Sequence, residues 1–445
     1  MHTPTEGRSL FMHVLVACSG NATLETALLD AGHRVTLLVP ADTVEQRRAD
    51  TPRADGVFGI SRWHDPIEAT RLLPLLPADL DRVATIDEQA VARPCAVIRE
   101  RLGLPGLTVA DALAHTDKDV AKRRLSRAGI RVARHLPVRS GAQVAKAGEE
   151  LGWPVVVKPA RGAGATNTFV VEDKAHLDRL IRQGVFDRRV PDSTGRFGAG
   201  EFLLSLNERP GGFLVEEFIR AKEEWFVDLY LHEGELLGAF PGRYSAPLLG
   251  VLGRHQWDAV VPASHRDARE VVKLALQASR ALGSGTGVVH CEILRTPDRE
   301  PKRQWVFGEA AHRPGGGGIA TLYCRQHGLD LPPILAALAV GERPDIRLDA
   351  APPTLANLVI AAPPGTVRRV ATADELLRLD GVLDAQVNLT PGQRTPGNFG
   401  TMSLAGAVTL RAESLDDVAR RCEALVDALG LEVTGPQTQV EGCVR

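Results

Sequence analysis

Several of the usual markers of chemistry are scarce or missing. The six cysteines (Cys18, Cys95, Cys291, Cys324, Cys422, Cys443) contain no CxxC pair and join no His/Cys cluster. That excludes a disulfide framework and a zinc site, and points to reduced, mostly buried thiols in a cytosolic protein. No apolar run is long enough to span a membrane, and the first ten residues lack a hydrophobic signal core. The net charge of −2 removes any bulk attraction to nucleic acid or an anionic membrane. Neither GxGxxG nor GxxxxGK[ST] occurs, so a dinucleotide fingerprint and a Walker loop are both absent. Few of the 53 Lys+Arg residues are lysine. Arginine is the default cation here, so Lys118 and Lys158 stand out.

What is present centres on residues 152–168. Val155, Val156 and Val157 form the continuous β-branched run of a strand buried on both faces. Lys158 and Pro159 follow, then a loop of small residues, Gly162, Ala163, Gly164, Ala165 and Thr166. Phe169 to Val171 resume a strand. A lysine leaving a buried strand to face a glycine loop suits polyphosphate. Its ammonium is a compact charge, and the loop lets backbone N–H groups approach closely. An ordinary hairpin carrying a surface lysine is the other reading of this stretch taken alone.

A length of 445 residues implies two or three domains. Residues 12–17 and 34–39 read as strands around a helix, the βαβ opening of a parallel sheet. A further strand is expected at 83–86 and a helix at 90–102. Thr116 is the expected N-cap of a helix stopping at Gly129. Residues 184–212, rich in Gly, Pro and Arg, read as loops and short helix. Residues 213–218 read as a strand carrying Glu216 and Glu217. Arg243 is expected to end a strand facing the cleft. Within 287–294, alternation puts His290, Glu292 and Leu294 on one face. The following strand ends at Glu309 and enters His312-Arg313 and four glycines. Two antiparallel strands bringing Glu292 and Glu309 to one face make a hard oxygen site of the kind Mg²⁺ takes.

In their order, these segments resemble the ATP-grasp superfamily over residues 12–320. Asp117-Lys118 with Ala128-Gly129-Ile130, the Lys158 strand and glycine loop, Glu216, Glu224, and Gly287, His290, Glu292, Glu309, Arg313, Gly315 and Gly316 match its motifs. The resemblance implies an α/β fold with a Rossmann-like N-terminal domain (1–112). Linker helices and a small lid would follow (113–219), then a catalytic α+β subdomain (220–345) and a further α+β lobe (346–445). It implies ATP, with Mg²⁺ or alternatively Mn²⁺. Lys118, Lys158 and residues 162–166 would hold phosphates. Glu216, Glu217, Phe218 and Ile219 would line the purine, and Glu223 or Glu224 the ribose. Glu292 and Glu309 would bind the metal. Arg313 would act with them in catalysis, on a substrate carboxylate or a developing oxyanion. Arg243, His290, His312, Gly315 and Gly316 would touch substrate. Many members carry an Asn two residues after the second glutamate, where this chain has Ala311. The branch that ligates amino acids often has that form.

The resemblance therefore implies a cytoplasmic carboxylate–amine ligase, with a homodimer among its expected forms, acting on small acids and amines, with amino acids favoured. Alternatives are a purine-pathway or biotin-type ligase, a nucleotide-binding regulator without turnover, and a NAD-binding oxidoreductase. The missing glycine fingerprint disfavours the last.

Overall fold

A computed structural model describes residues 11–18, 20, 22–87, 89–187, 212–298, 300, 304–348, 354–395 and 405–435. The expected loops at 184–212 lie mostly outside the described residues.

The N-terminal region is built from β1 (His13–Ala17), α1 (Thr23–Asp30), β2 (Arg34–Pro40), α2 (Val44–Asp50), β3 (Gly56–Ile60), α3 (Pro66–Leu72), β4 (Arg82–Ala84) and α4 (Gln89–Leu102). Its four strands pair in parallel in the order β3-β2-β1-β4. Their apolar runs are buried, as a sheet covered on both faces requires. Two helices follow, α5 (Val109–Thr116) and α6 (Lys118–Arg127). The cap of α6 is Asp117 rather than Thr116, and it accepts from the N–H groups of Asp119 and Val120. Thr116 still belongs to α5, where its hydroxyl donates to the Ala112 carbonyl.

The second sheet holds β5 (His135–Val138), β6 (Val155–Pro159), β7 (Phe169–Val171) and β8 (Phe213–Glu217), in the antiparallel order β5-β8-β6-β7. Helices α7 (Gly141–Leu151) and α8 (Lys174–Arg182) pack on it, with Leu151, Val155, Val157 and Leu177 in a common core.

The third sheet is the largest. It contains β9 (Glu223–His232), β10 (Glu235–Tyr244), β11 (Gln256–Val260), β12 (Gly287–Arg295) and β13 (Trp305–Ala311). Helices α9 (Arg266–Leu282), α10 (Ile319–His327) and α11 (Leu331–Val340) cover it. Trp225, Val227 and Leu229 of β9 enter one apolar cluster, while Phe226 and Tyr230 enter another shared with the N-terminal strands and α11.

The last hundred residues supply β14 (Thr354–Ile360), β15 (Gly365–Arg369), α12 (Ala373–Leu377), β16 (Val382–Val387), β17 (Arg394–Thr395), β18 (Gly406–Ala412), α13 (Leu415–Leu429) and β19 (Glu432–Thr434). They are strands and helices, as the sequence suggests, but their main strands do not form a sheet of their own. The order β13-β12-β9-β10-β11-β14-β18-β16 makes them three of the strands of one eight-stranded sheet. Only β17-β15-β19 stand apart.

Candidate active site

Lys158 and Glu216 come from neighbouring strands. Val156 pairs with Glu216 and Lys158 with Leu214, so the two charged side chains share a face. Lys158 Nζ lies 3.0 Å from Glu216, and Lys122 Nζ, from α6, lies 3.2 Å from its other oxygen. All three are buried or nearly so. Burial alone would raise the Glu216 carboxyl, but the two ammonium groups hold it below its ordinary value. Burial likewise opposes the charge on Lys158, and Glu216, Glu309 and Glu292 outweigh it to raise that ammonium. Lys122 is held low, because burial outweighs the attraction of Glu216.

Helix α6 opens beside the glycine loop. Its cap Asp117 pairs with Arg161 at 2.9 Å, and the Lys118 N–H donates to the Ala160 carbonyl. Lys118 Nζ donates to the Gly162 carbonyl at 2.6 Å and stands 2.9 Å from Glu309. One lysine thus ties the loop to β13. Gly164 sits at φ +62°, left-handed backbone that favours glycine.

Glu292 and Glu309 are direct cross-strand partners, as alternation led us to expect. Among the described residues no group of three or more His, Cys, Asp or Glu side chains is placed to hold a metal alone. Two carboxylates on a cavity wall beside lysines nevertheless fit Mg²⁺, which takes one or two carboxylates and completes its shell with phosphate oxygens and water. Ala311 supplies no third ligand. His290 stands next to this pair. Its Nδ1 is 2.7 Å from Asp228 Oδ1, and its Nε2 is 3.8 Å from Glu292. Burial would lower the imidazole, but the hydrogen bond to Asp228 and the nearby Glu292 carboxylate prevail and raise it to about 9.

These groups line a cavity of about 530 Å³. Its walls include Lys118, Lys158, the 162–166 loop, residues 216–219, Glu224, His290, Glu292, Glu309 and Arg313. The two acidic candidates at the start of β9 separate here. Glu224 faces the cavity, accepts from the Leu248 N–H at 2.7 Å, and is raised to about 8 by burial and then by Glu292. Glu223 projects from the other face, where Trp225 and Arg295 donate to it at 3.0 and 3.2 Å. It therefore has no access to a ribose in the cavity. Glu217 also lines the cavity, and its carboxylate accepts from Arg134.

Four other candidates, Arg243, His312, Gly315 and Gly316, lie outside this cavity. Arg243 pairs across from Trp225 and so lies on the far face, stacked over Trp257 at 5.7 Å. Its neighbour Tyr244 faces the cleft instead, its hydroxyl 3.4 Å from Glu292. His312 does not line this cavity. It is packed edge-on to His115, and burial together with Arg99 lowers it to about 4. Gly315 and Gly316 do not line it either. A Cβ on Gly315 would meet Ile319 Cγ2 at 2.7 Å and His290 Nδ1 at 3.0 Å, so this glycine serves close packing of the chain on itself.

Sequence reasoning missed Lys122, Tyr244 and Asp228, and named Asp117 in a motif without giving it a role. Asp228 is fully buried and accepts from both His290 and the Gly315 N–H, which fixes the turn after Arg313. The signal for it was alternation: Glu224, Phe226 and Asp228 share a face of β9.

Comparison with known proteins agrees with this geometry. Residues 117–204 match the family model of the carbamoyl-phosphate synthase L chain ATP binding domain, and residues 358–434 match L-amino acid ligase C-terminal domain 2. An L-arginine-specific L-amino acid ligase of Bacillus subtilis is 27% identical over 290 residues, 65% of this chain and 65% of that protein. A D-alanine–D-alanine ligase of Clostridium beijerinckii is 33% identical over 193 residues, 42% of this chain and 56% of that protein. The crystal structure of L-amino acid ligase from Bacillus licheniformis superposes with a TM-score of 0.68 at 17% identity, covering 95% of this chain and 99% of that one. In both matched segments and in fold the chain is similar to ATP-grasp ligases, the L-amino acid ligases among them.

Proposed function

We propose that the protein is an ATP-dependent carboxylate–amine ligase with an amino acid as the acid. The observation that carries this is the convergence of Lys118, Lys158, Glu292, Glu309 and Arg313 on one cavity. In the proposed reaction a substrate carboxylate oxygen attacks the γ-phosphorus of ATP. ADP leaves, and an acyl phosphate forms. An amine then attacks the acyl carbon, phosphate departs, and the amine loses a proton, leaving an amide.

Phosphoryl transfer of this kind depends on positioning and charge stabilisation. Lys158, held by Glu216, and Lys118, held by the Gly162 carbonyl, present ammonium groups to phosphate oxygens. Glu224 is the ribose candidate, because a carboxylate can accept from a vicinal diol. Arg313 faces the site where a carboxylate or a tetrahedral oxyanion would sit. Glu292 and Glu309 would hold Mg²⁺, which when bound supplies neutralising charge to the phosphates. The donor set gives no reason to prefer Mn²⁺. The 162–166 loop, folded over the cavity, would exclude water from the acyl phosphate. Two small-molecule substrates suffice for this scheme. Neither a nucleic acid, a membrane nor a second copy of the chain has a role in it. Among the described residues no helix is long and apolar enough to cross a membrane.

The test is the nucleotide product. The acid alone should release ADP slowly, and hydroxylamine should trap a hydroxamate. Adding an amino acid as amine should raise ADP release and yield a dipeptide by mass spectrometry. AMP with pyrophosphate would refute the mechanism. ADP release only with bicarbonate would move the protein to the carboxylating branch.

A further inference from the structure

A second cavity, of about 270 Å³, lies between the N-terminal strands and the large sheet. It meets the first at Arg313, which lines both. Most of its wall is apolar, from the end of β4, the 105–107 loop and helix α11. Its charged groups are Arg82, Arg99, Arg313 and a single carboxylate, Glu233, which is exposed.

Arg99 is the unusual member. Only 8% of it is exposed, and among the described residues no carboxylate pairs with it. Its Nε donates to the Val83 carbonyl at 2.9 Å and its Nη1 to the Leu107 carbonyl at 3.4 Å, which holds the guanidinium in place without neutralising it. Nη2 is left with no hydrogen-bond partner among the described residues. A buried, unpaired cation is costly unless something anionic meets it. The backbone makes room for this arrangement. Gly106 is at φ +131°, and a Cβ there would lie 2.8 Å from Arg99 Cδ and Nε. Arg82 is held the same way, by carbonyls of Val340 and Asp81 rather than by an acid. A planar guanidinium with free N–H groups matches a carboxylate in two-point contact.

We propose that this second cavity is a binding site for a small carboxylate, received by Arg99 with Arg82 and Arg313. The carboxylate belongs either to a substrate, whose other end then reaches the ATP-lined cavity past Arg313, or to a separate ligand.

Calorimetry on the full chain tests the site without turnover, so it stands or falls apart from the ligase reading. Acetate, glutarate and L-glutamate are titrated, and glutaramide serves as the uncharged match to glutarate. At least one carboxylate should bind, and glutarate should bind about tenfold or more tighter than glutaramide. Arg99→Gln should lose about tenfold or more. Ala339→Phe, which fills the cavity from α11 and replaces no arginine, should abolish binding. Both variants are first checked for a cooperative melting transition. The wild-type comparison needs no variant, so the test survives if Arg99→Gln misfolds. No binding of any carboxylate, equal binding of glutaramide, or full affinity in Ala339→Phe would overturn the site. A second arm, which does rest on the ligase reading, finds the source. If the carboxylate raises the KM for the amine at constant kcat, the site belongs to the substrate. If it changes kcat at saturating amine, it belongs to a separate ligand.

Discussion

At the scale of the residue, charge placement decides what each group can do. Lys158 and Lys174 have the same side chain and opposite settings. Lys158 is buried against Glu216 on the cavity wall, whereas Lys174 opens α8 in solvent. Lys158→Ala should weaken ATP binding by about 10- to 100-fold, the range for a charge-assisted hydrogen bond, and Lys174→Ala should change it little. Equal affinity of Lys158→Ala and wild type by calorimetry would remove Lys158 from the phosphate site. Asp258 gives a pH prediction. Burial raises it from 3.8 to about 7, against the hydrogen bond from Asn357. The folded state therefore keeps a proton that the unfolded chain has lost. The resulting stability is fully present below the unfolded pKa and disappears as pH rises through about 7. Asp258→Asn keeps an acceptor for Asn357 and removes the titration. Wild type should lose on the order of a few kcal/mol between about pH 4 and about pH 8, and the variant visibly less. Parallel denaturant titrations of the two proteins would show the difference. Identical slopes would rule out a raised Asp258.

At the scale of the element, the glycine loop is the segment built to move. Residues 161–168 form turns with Gly164, Ala165 and Asn167 in left-handed backbone, and only Thr166 and Thr168 are well buried. Small residues, few apolar anchors and no strand or helix pairing mean low local stability. Amide hydrogen exchange across 161–168 should slow when an ATP analogue and Mg²⁺ are added, while exchange in β6 stays slow throughout. An unchanged loop would argue against its closing over phosphates.

At the scale of the molecule, one sheet joins the catalytic strands to the C-terminal segment. Strand β11 pairs with β14 from Gln256 to Ala259, and Thr409 of β18 donates to Asn357, which in turn donates to Asp258. A chain ending at residue 348 would leave β11 as an unpaired edge with Trp257 and Asp258 uncovered. It should be insoluble or lack a cooperative melt. A soluble truncated chain that still binds ATP would show that the segment is a dispensable lobe.

Local pattern was enough to read the Lys158 strand, the glycine loop, the α6 register that presents Lys118, and the facing pair Glu292 and Glu309. Each follows from a period of two or from turn chemistry within a few residues. The tertiary structure alone chose Glu224 over Glu223, turned Arg243 away in favour of Tyr244, and sent His312 out of the ATP-lined cavity. The reason is that the large sheet is apolar on both faces. β9 buries Trp225 and Val227 on one side and Phe226 and Tyr230 on the other, so polarity along the strand does not say which face meets the ligand. A register shift between Leu236 and Gly238 also changes the parity of β10. Which side chains share the cavity is settled only when the strands pair and the N-terminal layer closes over them.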